Sequence, residues 1–156
     1  MTVTRNTVEI AAPVQTIYDL AAETERWPQI LPHYRYVRVL EQHGATRVVA
    51  MGAWRDVFPI RWVAEQTNDP GTPRIAFRHL SGWTRGMDVD WTFEPFAGGT
   101  RVTIEHRLQF RFPIAASWLG KYIVSDYFIH GVAAKTLARV KELAERRWTE
   151  RRKTVR

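Results

Sequence analysis

The chain of 156 residues is long enough for one domain with a sizeable core, because 45% of its residues are hydrophobic and 12% are aromatic. It contains no cysteine, which excludes disulfide scaffolds, thiolate catalysis and cysteine-ligated metal centres. The charge-free stretch near the apolar maximum, residues 112–120, is too short to span a bilayer, and the first residues lack the hydrophobic segment of a signal peptide. We therefore expect a cytoplasmic protein.

The net charge of +7 is distributed unevenly along the chain. Residues 146–156 contain six basic residues and one acidic residue, so this segment carries +5 and the other 145 residues carry +2. We predict a single domain over residues 1–145, followed by a solvated, frayed basic tail over 146–156. Contact of this tail with nucleic acid or an anionic membrane stays open as an alternative. Basic residues are not concentrated in the rest of the chain, so no nucleic-acid surface is expected there.

The first predicted elements are a strand and two short helices. Apolar and polar residues alternate between Thr2 and Ile10, which predicts a strand. Pro13 suits a helix start, and residues 17–21 repeat at helical spacing, so a helix of about three turns follows. A second short helix is predicted from Trp27 to Leu31.

From His33 to Phe112 the sequence predicts six short strands in an antiparallel meander. The turn signals between them are Gly44, Phe58-Pro59, Asp69-Pro70-Gly71, Ser81-Gly82 and Ala97-Gly98-Gly99. The last strand, Arg101 to Arg111, alternates strictly, and its inner row is apolar except for His106. One face of the sheet is therefore predicted to be solvated, and the other needs a cover.

A long helix from Pro113 to about Trp148 is the predicted cover, since no proline interrupts it. Its stripe at helical spacing consists of Leu119, Tyr122, Asp126, His130, Ala133, Leu137, Val140 and Ala144. The predicted fold class is α+β. It is a helix-grip fold in which a seven-stranded antiparallel sheet curves around a long C-terminal helix, with two short helices after the first strand.

Several short motifs resemble a known superfamily in their order and spacing. They are Val8-Glu9-Ile10-Ala11-Ala12-Pro13, Ile17-Tyr18-Asp19-Leu20, Glu25-Arg26-Trp27-Pro28, Arg61-Trp62-Val63, Trp91-Thr92-Phe93 and Gly98-Gly99-Thr100-Arg101-Val102. From about Thr2 to Glu145 the chain resembles the START-like (SRPBCC) superfamily, which includes polyketide cyclases and aromatases, coenzyme Q-binding proteins and birch-pollen allergens. The resemblance implies a deep cavity between the sheet and the long helix that binds an apolar or aromatic molecule.

The residues themselves are also compatible with a cavity. The inner rows combine the large Trp62, Phe77, Trp91, Phe93 and Phe110 with the small Ala50, Gly52 and Ala64, and the helix adds Gly131 and Ala133. Apolar and aromatic walls with a few polar groups are typical of ligand pockets, but a filled core of large and small residues would give the same pattern. We predict ligand contacts for Trp62, Gln66, Phe77, His79, Trp91, Phe110, Tyr122 and His130.

Three residues are candidates for acid–base chemistry. His106 points inward from an apolar row, where an imidazole needs a polar partner or water; a satisfied core histidine is the alternative. Asp126 lies four residues before His130 on one helix face and could orient it, as catalytic pairs require; a solvated edge is the alternative. Tyr34 matches a cavity tyrosine of the cyclases, and the resemblance implies a hydrogen bond to a ligand carbonyl.

The chain departs from the tetracenomycin-type aromatase/cyclases at two positions. Aligned on Trp62, those proteins have a catalytic arginine where this chain has Gln66 and a serine where it has Ala64. The five histidines lack metal-ligand spacing, and the sequence contains no phosphate-binding glycine motif. Neither a metal nor a cofactor is therefore expected.

The leading interpretation is a protein that binds a small hydrophobic molecule of aromatic, polyketide-like or quinone-like character. A cofactor-independent polyketide cyclase or dehydrase is the first alternative. A lipid or quinone carrier at the membrane surface, with weak contact through the basic tail, is the second. The sequence does not determine the ligand or the oligomeric state.

Overall fold

The computed structural model describes residues 2–82, 84–108 and 131–155, apart from the side chains of Thr2 and Arg55. The strands within these ranges are β1 (Thr2–Ile10), β2 (Tyr34–His43), β3 (Thr46–Arg55), β4 (Phe58–Asp69), β5 (Arg74–His79), β6 (Asp88–Phe96) and β7 (Gly99–Leu108). The helices are α1 (Val14–Ala22), α2 (Trp27–Ile30) and α3 (Gly131–Thr154), and a 3₁₀ turn at Thr24–Arg26 joins the first two.

The strands form one seven-stranded sheet in the order β1-β7-β6-β5-β4-β3-β2, in which every neighbouring pair is antiparallel. Strands β2 to β7 follow one another as a meander, and β1 adds to the far edge of β7. Helix α3 packs against β1, β3 and α1. The predicted α+β helix-grip fold is confirmed.

The strict alternation of β7 sets which side chains face the core. Val102, Ile104 and Leu108 are at most 3% exposed, and His106 between them is 9% exposed. Because the side-chain period of a strand is two, one register places all four side chains on the same face. That face is covered by α3, whose buried residues include Ala133, Leu137, Val140 and Ala144.

Two details differ from the predicted elements. The turn predicted at Phe58-Pro59 lies instead at Asp56 and Val57, where Asp56 adopts a φ of 55°. Pro59 is tolerated inside β4 because β5 pairs with β4 only from Ala64 onward, so no β5 ladder bond requires an N–H at Pro59.

The second difference concerns the basic C-terminal segment. Helix α3 continues to Thr154, so residues 146–154 are helical and the prediction of a frayed tail is wrong for them. Trp148 is partly buried against the core, which ties this part of the helix to the domain. The domain boundary after residue 145 stays a prediction.

Candidate functional site

A partly open cavity of about 90 Å³ lies between the inner face of the sheet and helices α2 and α3. Its aromatic wall consists of Trp27, Tyr34, Trp62, Phe77 and Trp91. Its aliphatic lining consists of Met51, Ile60, Met87, Val89, Ile104, Val132 and Ala133. Its polar groups come from Tyr34, His79, Thr84, His106 and Thr136. This combination of apolar walls and a few convergent polar groups is typical of a ligand site.

The volume limits what the cavity can hold without rearrangement. Pockets for drug-sized ligands usually measure roughly 300–1,000 Å³, so about 90 Å³ suits a fragment of such a ligand. A polycyclic molecule would have to displace side chains of the wall. Trp62 and Ile60 are only half-buried, so they are the lining side chains that can be displaced most easily.

Trp27 is the centre of the aromatic wall. Its ring centroid lies 4.9 Å from that of Tyr34, 5.8 Å from that of Trp91 and 6.1 Å from that of Phe77. Trp27 was not predicted as a ligand contact, because it lies on the short α2 and not in an alternating strand. The sequence feature that could have drawn attention to Trp27 is its position beside Pro28 at the start of a one-turn helix.

His79 is held at the end of β5 by a hydroxyl and an aromatic ring. Its Nδ1 lies 2.7 Å from Thr84 Oγ1, and its ring stacks on Trp62 at 5.5 Å with an interplanar angle of 6°. Burial, with a smaller contribution from His106, lowers the pKa of His79 to about 3. At neutral pH His79 is therefore an uncharged imidazole that can exchange hydrogen bonds but carries no positive charge.

His106 reaches the same cavity from β7, opposite Val89 of β6. The structure thus brings the two predicted residues His79 and His106 together within one aromatic-walled space. Tyr34, Trp62, Phe77 and Trp91, which are also predicted site residues, line the same space. The roles of these residues toward a ligand stay predictions.

The hydroxyl of Thr136 on α3 connects the cavity lining to His33. Thr136 Oγ1 donates to the backbone oxygen of Val132 at 2.8 Å and lies 2.9 Å from His33 Nε2. Tyr34 also hydrogen-bonds to Thr136, while burial raises the pKa of the Tyr34 phenol and keeps it protonated. Burial, together with the nearby Lys135, lowers the pKa of His33 to about 4.

Sequence reasoning missed both His33 and Thr136. His33 precedes the first residue of β2 and Thr136 shares the inner face of α3 with Ala133. The helical spacing of Thr136 and Ala133 could have placed Thr136 on the inner face of α3, but no sequence spacing connects Thr136 with His33.

Gln66 lies outside the cavity lining, contrary to its predicted ligand contact. It is fully buried, and its Oε1 accepts hydrogen bonds from Thr24 Oγ1 at 2.7 Å and Arg47 Nε at 3.3 Å. Its Nε2 donates to the oxygens of Ala22 and Asn68 at 3.0 and 2.8 Å. These bonds engage both ends of the amide in holding the connection between α1 and α2.

The remaining predicted site residues, Phe110, Tyr122, Asp126 and His130, lie outside the described residues. Within the described part of the chain, no group of three or more His, Asp or Glu side chains could hold a metal ion. A search of the same residues finds no helix with the length and apolarity needed to cross a membrane.

The sheet, the covering helix and the aromatic-walled cavity define a protein of the helix-grip, START-like class. The family described as "Polyketide cyclase / dehydrase and lipid transport" matches residues 10–124, and the chain belongs to this family.

Three similar proteins illustrate the relationship. The granaticin polyketide synthase bifunctional cyclase/dehydratase of Streptomyces violaceoruber is 30% identical over 105 residues, which cover 65% of this chain and 32% of that protein. A putative polyketide cyclase of Streptomyces cyaneus is 30% identical over 64% of this chain and 67% of its own length. The crystal structure of the ZhuI aromatase/cyclase from Streptomyces sp. R1128 matches with a TM-score of 0.81 over 94% of both chains at 20% identity, which supports the fold alone. The chain thus spans about a third of the bifunctional relative.

Proposed function

We propose that this chain binds a small hydrophobic molecule with at least one aromatic or carbonyl-bearing ring in the cavity between the sheet and α3. The observation that carries the proposal is the enclosure of two histidines and the Tyr34 phenol by tryptophan and phenylalanine rings. Rings supply flat apolar contact surface, and neutral donors and acceptors orient a carbonyl or hydroxyl group. Membership of a family described by polyketide cyclisation and lipid transport supports the same class of ligand.

Binding is best tested with two neighbouring alanines of α3. Ala133 lines the cavity and is 4% exposed, whereas Ala134 is exposed. Ala133→Leu adds volume to a cavity that has little to spare, so the affinity for a fluorescent naphthalene-type probe should fall at least about tenfold. Ala134→Leu should leave the affinity unchanged.

The measurement is quenching of the intrinsic tryptophan fluorescence, together with isothermal calorimetry for the stoichiometry. We expect one probe per chain. Because extra methylenes can strain a packed core, thermal unfolding of both variants must show that the fold persists. Equal affinities for the two folded variants, or no probe that quenches the wild-type protein, would contradict the proposal.

A cofactor-independent cyclase or dehydrase is the second candidate, favoured by the pair of imidazoles in the cavity. Proton transfer by a positioned histidine typically contributes 10²–10⁴-fold to a rate. We propose His106 as the acid–base residue, with His79 as a neutral hydrogen-bonding partner. If the chain is an enzyme, His106→Gln should abolish turnover of a poly-β-ketone substrate while probe binding persists. If the chain only binds its ligand, no product should depend on His106.

Aromatisation of the tetracenomycin type is not expected. No arginine or lysine occurs among the described residues that line the cavity, and losing one preorganised donor to a developing oxyanion typically costs about 10²–10³ in rate. Incubation with a poly-β-ketone-producing synthase, followed by analysis of first-ring products, tests this point. Efficient ring formation that depends on His106 would make the cyclase the leading function.

A further inference from the structure

The turn between β3 and β4 presents apolar side chains to solvent at one end of the molecule. Val57 is 78% exposed, Phe58 53% and Trp54 40%. Asp56 adopts a left-handed φ of 55° and so fixes a tight turn at this point. We call Trp54, Val57 and Phe58 the hairpin tip. Exposed single hydrophobics are common on protein surfaces, but neighbouring ones at a turn indicate a contact site.

The hairpin tip is continuous with the wall of the cavity. Phe58, Ile60 and Trp62 occupy alternate positions of β4 and therefore share one face of the strand. Ile60 and Trp62 line the cavity, while Phe58 stands outside it. An apolar row thus leads from the exposed turn to the interior.

Cationic side chains lie near the hairpin tip. Arg61 is exposed on β4, three residues after Phe58. From α3, Lys135 approaches Asp56 with a nitrogen–oxygen distance of 3.7 Å.

We propose that the hairpin tip docks on the surface of a lipid bilayer that contains anionic lipids. Valine and phenylalanine side chains at a turn can enter the boundary between headgroups and acyl chains. Basic residues beside them are attracted by the negative surface potential. The Arg35 guanidinium lies 4.9 Å from the Trp54 ring centroid, an amphipathic pair suited to the headgroup level. Docking of this kind needs no ligand in the cavity and is therefore independent of the proposed function.

A bilayer fits the hairpin tip better than a stable protein partner does. Specific protein interfaces bury roughly 1,200–2,000 Å² in total, which three side chains at a turn cannot provide. The basic end of α3 is a second cationic surface of the described residues, but it lies about 25 Å along the helix axis from Lys135. Val155 there is 89% exposed and stands beside the basic residues 151–153 of the last helical turn.

Because the chain has no cysteine, a single introduced thiol can report on each surface. Val57→Cys and the matched Val155→Cys are each labelled with a solvent-sensitive dye and mixed with phosphatidylcholine vesicles, with and without phosphatidylglycerol. We expect a blue shift for the label at Val57 with anionic vesicles only, weakened by added salt, and no shift at Val155. No shift at Val57, or a shift at Val155 alone, would overturn the proposal.

Co-sedimentation of the unlabelled protein gives a second, independent readout. In Val57→Ser/Phe58→Ser, both changes lie on exposed side chains, so thermal unfolding should resemble that of the wild type. Half-maximal binding of this variant to anionic vesicles should require at least about tenfold more lipid than that of the wild type. Wild-type affinity in this folded variant would overturn docking through the hairpin tip. In the dye experiment, a blue shift at Val57 that needs no vesicles and grows with protein concentration would also overturn it, because such a shift indicates contact with a second copy of the chain.

Discussion

Acidification should destabilise the protein through His79, because this residue is buried in its neutral form. The pKa of His79 is lowered from 6.5 to about 3 in the folded chain. Between these pH values the unfolded chain binds a proton that the folded chain does not bind. The contribution of His79 to stability is therefore complete above pH 6.5 and is lost progressively as the pH falls toward 3.

The size of the loss follows from the width of this pH window. Each pH unit below the unfolded pKa costs about 1.4 kcal/mol per histidine. At pH 5, about 1.5 units below the ordinary value, the loss is about 2 kcal/mol. That is a large share of a typical unfolding free energy of about 5–15 kcal/mol. His33, whose pKa is lowered to about 4, acts in the same direction, so the wild-type loss should exceed the share of His79.

Urea unfolding at pH 7.5 and pH 5.0 isolates this share when wild type is compared with His79→Phe. Phenylalanine keeps a ring to stack on Trp62 but cannot titrate, so the difference in unfolding free energy between the two pH values should shrink by about 2 kcal/mol. His43→Phe is the matched control, since the His43 side chain is 80% exposed, and it should retain the wild-type pH dependence. Identical pH dependence in wild type and His79→Phe would refute the assignment of His79 as a buried neutral group.

Three further changes test packing outside the cavity lining by urea unfolding. Gly52→Ala would place a Cβ in steric conflict with the Tyr36 ring and should cost about 1–3 kcal/mol; the double change Gly52→Ala/Tyr36→Ser should recover most of this loss. Arg47→Met removes the donor to buried groups of the α1–α2 connection and should cost about 2–3 kcal/mol; a cost below 1 kcal/mol would mean that the network is dispensable. Deletion from Trp148 onward should cost about 1 kcal/mol more than deletion from Thr149 onward, because Trp148 packs against the core; equal stabilities would contradict this.

The alternation of the strands made the fold predictable, but it did not determine how far along a strand the cavity extends. Gln66 was predicted to face inward with Trp62, and it is indeed fully buried. Four residues of strand nevertheless separate the two side chains by about 13 Å, and at that distance Gln66 meets Thr24 instead of the cavity. Periodicity therefore identifies the face of a residue but not its depth along the sheet.

The local sequence patterns could not predict tertiary contacts between distant segments. The contact of His33 with Thr136 joins residues 103 positions apart, and no local spacing encodes it. Trp27 became the centre of the aromatic wall only because the α1–α2 connection folds over the sheet. The residues that hold this connection, Arg47 and Gln66, face each other directly across β3 and β4.

The placement of Arg47 connects the fold to the chemistry expected in the cavity. Its guanidinium binds Ala22 O at 3.0 Å, Thr24 Oγ1 at 2.6 Å and Glu25 Oε2 at 2.7 Å. With its further bond to Gln66 Oε1, this arginine cannot turn toward a ligand without breaking buried hydrogen bonds, each of which is costly to leave unmade. Among the described lining residues, negative charge developing on a ligand would thus meet neutral groups such as the Tyr34 phenol and the His79 imidazole. Neutral donors suit a bound carbonyl better than a full enolate charge, so we expect retention of a ligand, or slow proton transfer, in preference to rapid ring closure.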